Sequence, residues 1–273
     1  MPELPEVETI VRGLRKDVIA RTFTHIDVRW AREVATPSSE TFASRLVGQT
    51  VARLDRRGKY VVFTLTHDFM LAHLKMTGRL YIASPAKRAV DEDRWIRVAF
   101  HMDNGQELRF SDARKFGRVY LVSYVDEVVG KLGPEPLTES FTLEAFRSHM
   151  ARRKGVIKQL LLNQEFVAGI GNIYADEALW LAKIDPRRKV DTLKPMEVAN
   201  LYKSIRIVLR KGIDFEGASI NWYRKPDGSM GESQNYFKAY GREGERCVND
   251  CGSVIHKMRL GQRGTHFCPS CQK

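Results

Sequence analysis

The chain has 273 residues, and 45 Lys+Arg set against 33 Asp+Glu leave a formal net charge of +12. With 43% hydrophobic residues it can bury the core of one large domain or two ordinary ones, which excludes intrinsic disorder and fibrous folds. No run approaches the roughly 18 apolar residues of a membrane span, and the acidic start Met1-Pro2-Glu3-Leu4-Pro5-Glu6 is unlike a secretory signal.

The protein is therefore expected to be soluble and cytoplasmic, with no membrane partner. Its positive excess favours a polyanion such as nucleic acid, because each Lys or Arg that neutralises a phosphate releases condensed counterions.

In chain order, the first predicted element is a helix: Val7, Ile10, Val11, Leu14 and Val18 recur at helical spacing just after Pro5. From residue 22 to about 125, alternating and β-branched runs at 22–30, 49–55, 59–66, 95–101 and 107–110 predict an antiparallel sandwich or barrel. Asp103-Asn104-Gly105 reads as a hairpin turn. The pattern breaks at Leu132-Gly133-Pro134-Glu135-Pro136, where a domain boundary is placed. Beyond it, helical periodicity covers 143–150, 156–162, 173–182 and 198–209. Residues 214–234, with Gly217, Pro226, Gly228 and Gly231, read as a long mobile loop.

All four cysteines, Cys247, Cys251, Cys268 and Cys271, lie near the end of the sequence. Two disulfides would be the ordinary reading of four cysteines. Two close pairs in an intracellular chain instead predict a thiolate zinc site, with C-x3-C and C-x2-C knuckles presenting four sulfurs to one tetrahedral ion. So small a segment, rich in Gly, Arg and Lys, would draw most of its folding free energy from the metal. Four thiolates leave no open coordination position, so the zinc is structural.

Pro2 becomes the N-terminal residue once Met1 is removed, and a free proline is a secondary amine. Ordinary α-amino groups have a pKa of about 7.7–8, so a sizeable fraction would be an unprotonated nucleophile able to form an iminium with a sugar carbon. Glu3 beside it could supply a proton. The bland alternative is that two prolines start a helix whose first-turn acids, Glu6 and Glu8, complement its dipole.

Residues 1–9, taken with Arg56-Arg57-Gly58-Lys59-Tyr60, His73-Leu74-Lys75-Met76, Asp112-Ala113-Arg114-Lys115-Phe116-Gly117, Gly169-Ile170-Gly171-Asn172-Ile173-Tyr174 and Arg263-Gly264-Thr265-His266-Phe267, resemble bacterial formamidopyrimidine-DNA glycosylases over essentially the whole length. The resemblance implies an α+β fold in two domains, an N-terminal helix plus antiparallel β-sandwich and a helical domain with a helix-two-turn-helix and a β-hairpin zinc finger. In residues, this is a catalytic part at 1–134, a helical DNA-binding part at 135–235 and the finger at 236–273. It implies a monomeric repair enzyme that removes 8-oxoguanine and formamidopyrimidines from double-stranded DNA, acts on abasic sites, and cleaves the strand by β,δ-elimination.

The resemblance also implies roles. Pro2 and Glu3 match the catalytic start. Lys59 and Arg263 match groups that grip phosphates at the lesion, and Asn172 matches a phosphate ligand on the helix-two-turn-helix. Glu6, His73, Lys158 and Glu177 match positions that line the DNA groove or support the active site. Met76, Arg114 and Phe116 match the residues that fill the hole left by an extruded nucleotide, two as wedges and Arg114 as a donor to the orphaned cytosine. Two features depart from the family pattern. Val248-Asn249-Asp250 puts three residues in the first knuckle where two are usual, and Gly217-Ala218-Ser219-Ile220-Asn221-Trp222 lacks the usual Gly-Gly start of the base-covering loop. Rival readings are a sister glycosylase for oxidised pyrimidines, disfavoured by Leu4-Pro5-Glu6 and Arg114-Lys115-Phe116, and a catalytically silent damaged-DNA-binding protein, which retention of Met1 would favour.

Overall fold

The computed structural model describes residues 1–83 and 91–273. Residues 84–90, inside the stretch expected to form strands, lie outside the described residues. The chain forms two compact units, Met1–Lys131 with Glu216–Glu232, and Leu132–Phe215 with Ser233–Lys273.

The first unit opens with α1 (Leu4–Val18), whose predicted stripe of Val7, Ile10, Val11, Leu14 and Val18 is buried. Then come β1 (Phe23–Val28), β2 (Val34–Thr36) and α2 (Ser39–Leu46), the last capped by Ser38, whose hydroxyl accepts from the Thr41 N–H. Seven strands follow: β3 (Val51–Arg57), β4 (Tyr60–Leu65), β5 (Phe69–His73), β6 (Gly78–Ala83), β7 (Ile96–Met102), β8 (Glu107–Asp112) and β9 (Arg118–Val122), and then a short α3 (Asp126–Val129). The Met102–Gly105 turn joins β7 to β8, as the Asp-Asn-Gly signal predicts.

The strands make two sheets, β1-β7-β8-β6 and β2-β9-β5-β4-β3. Phe23, Phe100 and Phe110 of one sheet share a core with Leu54, Phe63 and Leu121 of the other and with the stripe of α1. The expected sandwich is present, with one exception to its antiparallel order: β2 runs parallel to β9. Strand β5 escapes sequence prediction because it lies between β4 and β9 and is buried along nearly its whole length, leaving no alternation to read.

The second unit contains α4 (Leu143–Ala151), α5 (Ile157–Leu162), α6 (Asn172–Leu181) and α7 (Pro195–Asp214). These are the four predicted helices, with α7 extended at both ends and Pro195 at its start, where a missing N–H costs nothing. A hairpin of β10 (His256–Leu260) and β11 (Arg263–Phe267) closes the chain. Its cysteines pack against Trp180, Ala239 and Ile255. Among the described residues, no helix is long and apolar enough to cross a membrane.

The segment expected to be a mobile loop is anchored instead. Tyr223 is buried in the sandwich core and donates to the Glu216 carbonyl at 3.0 Å, while a bridge between Ala218 and Glu232 closes the base of the loop. One buried aromatic gives this glycine-rich stretch the apolar contact that its composition hides.

Candidate active site

In the first unit Met1 is exposed and the residues that follow it are buried. Pro2, Glu3 and Glu6 are all inaccessible, with Glu3 at 3% and Glu6 at 1% exposure. One Glu6 oxygen accepts from the Glu3 N–H at 2.7 Å, and the other accepts from the Ala218 N–H at 2.8 Å. Glu6 therefore couples the first helical turn to the loop that starts at Glu216. Gly217 has φ +80°, and a Cβ there would lie 2.9 Å from Glu6 Cγ and 3.0 Å from the Tyr223 ring. A single glycine thus meets the close approach, and Glu216 takes the left-handed φ of +55° that a second glycine would otherwise supply.

Lys59 sits with Gly58 in the two-residue turn between β3 and β4, rather than opening the strand as its sequence context suggests. Gly58 has the positive φ that such hairpins demand at a turn residue. Lys59 is buried at 5% exposure, in contrast to ordinary surface lysines. His73, at the end of β5, is also buried and stands edge-on to Tyr60 with centroids 4.7 Å apart. Burial, reinforced by Lys75 and Lys59, holds its imidazole down at about 3. It is neutral at physiological pH. Its Nδ1 accepts from the Lys75 N–H at 3.0 Å, which leaves the hydrogen on Nε2 and makes that atom a donor.

Met76, Arg114 and Phe116, scattered in sequence, come together. Arg114 Nη1 lies 3.1 Å from Met76 Sδ, and its guanidinium carbon is 4.8 Å from the Phe116 ring centroid. Met76 and Phe116 remain about half exposed, at 45% and 49%. Lys75 and Lys115, the neighbours of these two, hold left-handed φ angles of +51° and +60°. Such conformations are sparse for non-glycine residues and concentrate at functional sites.

The organiser of this cluster is Asp112, a residue to which the sequence reading gave no role. It is fully buried, and one oxygen accepts from the Phe116 and Gly117 N–H groups at 2.8 and 2.7 Å. The other accepts from the Arg114 N–H at 3.1 Å and from the Thr77 hydroxyl, tying the Arg114 turn to the Met76 turn. The signal available in the sequence was the Asp-x-Arg spacing itself, since Asp side chains readily bond main-chain N–H groups two residues on.

In the second unit, Arg263 is exposed at the start of β11. The next residues are fixed from below. The Gly264 carbonyl accepts from Lys158 Nζ at 3.0 Å and from Asn172 Nδ2 at 2.9 Å, and Lys158 also donates to Thr265 Oγ1 at 2.8 Å. Lys158 is buried against Asp176, whose other oxygen accepts from the His266 N–H. Gly171 caps α6, placing Asn172 in its first turn. Glu177, also on α6, is buried and accepts from the N–H groups of Lys238, Ala239 and Tyr240. Burial pushes its carboxyl up, and those N–H groups oppose the rise. For Lys158 and Glu177, burial suits support of the site and not lining of a groove.

The four cysteine sulfurs lie within 4.8 Å of one another, with Cys247–Cys271 at 3.9 Å and Cys251–Cys268 at 3.5 Å. A disulfide needs about 2.05 Å, whereas sulfurs about 2.3 Å from one tetrahedral zinc stand a little under 4 Å apart. The geometry fits the metal. The longer first knuckle is accommodated by a left-handed Asp250, and its Asn249 amide donates to Cys271 Sγ at 3.5 Å.

Comparison with known proteins agrees with this geometry. Family models for the formamidopyrimidine-DNA glycosylase N-terminal domain, its H2TH domain, and the zinc finger found in FPG and IleRS match residues 1–119, 132–224 and 244–273. The chain holds one structural zinc at the four cysteines. Formamidopyrimidine-DNA glycosylases of Protochlamydia amoebophila and Herpetosiphon aurantiacus are 43% and 44% identical, with 100% of each chain covered. A crystal structure of Lactococcus lactis Fpg with Fapy-dG-containing DNA is 37% identical with TM-score 0.89, covering 99% of this chain and 100% of that one. Another, with DNA containing an abasic site, is 37% identical with TM-score 0.89 and covers 99% of each chain. The chain belongs to the formamidopyrimidine-DNA glycosylase family.

Proposed function

We propose that this chain excises oxidised purines, 8-oxoguanine and formamidopyrimidines, from double-stranded DNA through Pro2 and then cleaves the backbone at the abasic site. The observation that carries the assignment of the nucleophile is the buried segment that follows Met1, where Pro2 and Glu3 lead into a helix whose Glu6 holds both Glu3 and Ala218.

With Met1 removed, the Pro2 amine attacks C1′ of the damaged nucleotide, and the base leaves with the electrons of the glycosidic bond. Glu3 gives its proton to the ring oxygen as the sugar opens, leaving an iminium between Pro2 and C1′. Loss of a C2′ proton expels the 3′ phosphate, a second elimination expels the 5′ phosphate, and water returns the free amine. Lys59 and Arg263 neutralise phosphates, with Arg263 steadied by the Lys158 and Asn172 bonds to Gly264. The second amide hydrogen of Asn172 and the Nε2–H of neutral His73 are further donors to the backbone. Met76 and Phe116 wedge into the duplex while Arg114 faces the orphaned base. Glu6 orders the loop over the lesion, and Glu177 holds the 238–240 main chain.

In this reading the parts divide along the chain as a catalytic 1–134, a DNA-binding 135–235 and a finger at 236–273, except that the loop at Glu216–Glu232 packs within the catalytic unit and not with the DNA-binding helices. A DNA-repair enzyme with bacterial relatives would work as a monomer in the bacterial cytoplasm, at the nucleoid. The test is borohydride trapping on a duplex with 8-oxoguanine opposite cytosine, using protein whose intact mass shows Met1 removed. Wild type should form a covalent adduct and Pro2→Gly should lose most of it. Undiminished trapping with a blocked N-terminus would transfer the role to a lysine.

A further inference from the structure

Glu33 lies at the end of a short 3-10 turn (Ala31–Glu33) that leads into β2, and it is fully buried. Among the described residues, neither carboxyl oxygen has a hydrogen-bond partner. This is unusual, since a buried charge without a partner is costly enough that the group neutralises instead. Its position is specific. A Cβ at Gly117 would lie 2.5 Å from Glu33 Oε1, so the glutamate fills the space under the turn that a side chain at 117 would take. Gly117 is also the residue whose N–H is held by Asp112, together with that of Phe116.

We propose that Glu33 is a positioning residue for the base-displacing turn: as a buried neutral acid it supports the Asp112–Gly117 backbone, and its ionisation loosens the turn and withdraws Phe116 and Arg114 from the duplex. The inference rests on the assignment of Met76, Arg114 and Phe116 as the residues that fill the hole.

The charged groups around Glu33 make it sensitive. Burial and then the Asp112 carboxylate on β8 push its carboxyl up to about 8, against the pull of Arg118 on β9 and Arg97 on β7. Both arginines are already engaged with main-chain carbonyls, Arg97 with Asp112 and Arg118 with Gly117. The Lys115 ammonium stacks 3.9 Å from the ring centroid of Trp30, just before the 3-10 turn. A second negative charge beside Asp112 would compete for those cations and oppose the carboxylate that gathers three main-chain donors from the turn and the Thr77 hydroxyl.

Because the folded-state pKa is raised, the folded chain holds a proton that the unfolded chain has released. Glu33 therefore costs stability progressively from about pH 4.5 up to about pH 8, and its effect is constant above that.

The experiment compares single-turnover excision of 8-oxoguanine paired with cytosine against cleavage of an abasic-site duplex, from about pH 6.5 to about pH 9.5. The ratio of the two rates cancels titration of Pro2, Glu3 and the phosphate grip, and reports the wedge. In wild type the ratio should fall roughly threefold or more through about pH 8. Glu33→Gln, which keeps the shape and cannot ionise, should hold the ratio level. Phe116→Ala should give a low ratio at every pH. A wild-type ratio that stays level to the top of the range overturns the role of Glu33 without any variant, as does a Glu33→Gln ratio that keeps the wild-type fall. If Phe116→Ala leaves the ratio unchanged near pH 7, the wedge assignment itself fails.

Discussion

Lys158 and Asp176 form an ion pair 2.6 Å long whose two side chains are 1% and 0% exposed. Each partner has further work: Lys158 donates to Gly264 and Thr265, and Asp176 accepts from the main chain of His266. The pair joins α5 and α6 to the strand that carries Arg263. A buried pair is weak evidence of net stability, but removing one member strands the other.

Asp176→Asn should therefore destabilise the second unit by about 3–5 kcal/mol. The double change Lys158→Met with Asp176→Leu, which strands no charge, should recover part of that loss. Calorimetry of the three proteins checks this, and a single change as mild as the double one would show that the pair is not electrostatically isolated. Affinity for damaged and undamaged duplex should fall together in the single variant, because the strand bearing Arg263 loses its support.

Zinc removal is expected to unfold the β10–β11 hairpin and leave the first unit intact. Strand β10 has no buried residue and β11 buries only Thr265, His266 and Phe267, so the metal contributes most of the folding free energy there. Cys268→Ser should release one equivalent of zinc per chain and weaken DNA binding, while high protein concentrations should still give the borohydride-trapped adduct through Pro2. Asn249→Ala should leave zinc stoichiometry at one and speed its loss to a chelator, since a donor to the Cys271 thiolate is gone. Full metal retention by Cys268→Ser would refute the four-thiolate site.

Much of this was legible in the residues alone. The stripe of α1, the hairpin at Asp103-Asn104-Gly105 and the cysteine spacing each follow from a local rule, so the sequence states them directly. Met76, Arg114 and Phe116 are different: no local rule joins them, and only the resemblance grouped them before the fold brought them together. What stayed hidden depends on burial. Strand β5 shows no alternation because both its faces are covered. Asp112, Asp176 and Glu33 read as ordinary acids because nothing in a sequence tells a solvated carboxylate from one with no water around it. Lys158 and Glu177 matched functional positions, yet their burial beneath the surface could be known only from packing across more than a hundred and about sixty residues of chain, respectively.

Salt and pH should separate the residues assigned to the DNA backbone. Lys59→Ala or Arg263→Ala should weaken binding to damaged and undamaged duplex alike and lower the slope of log K against log salt by about 0.9 for each phosphate no longer neutralised. His73 is held neutral at physiological pH by burial beside Lys75 and Lys59. His73→Gln should therefore weaken binding with little change in slope, and Asn172→Ala should behave likewise. A histidine depressed to about 3 when folded also contributes stability that is present above pH 6.5 and lost as pH falls toward 3, because the unfolded chain takes the proton first. Wild type should thus lose stability faster than His73→Gln over that acid window in denaturant titrations. A salt slope for His73→Gln that drops as far as that of Lys59→Ala would mean the imidazole binds DNA as a cation.

Glu6 holds the start of the loop through the Ala218 N–H. Gly217 combines a left-handed φ of +80° with an approach to Glu6 Cγ that leaves 2.9 Å for a Cβ. Gly217→Ala is therefore strained twice, by its backbone and by the close approach, and the chain can relieve both by moving Ala218 away from Glu6. Breaking that bond frees the loop start, while Tyr223 still pins the loop further along. The variant should fold with a melting temperature a few degrees lower, since the strain amounts to about 1–2 kcal/mol. Excision of 8-oxoguanine should fall about tenfold or more if the loop covers the lesion as proposed, because it would no longer be ordered. Cleavage of a preformed abasic site, which presents no base for the loop to cover, should change little. Glu6→Gln keeps one acceptor and should fall between wild type and Gly217→Ala. If Gly217→Ala reduces both activities by the same factor, the displaced element is the start of α1 with Glu3 and Pro2, and the loop is not what Glu6 controls.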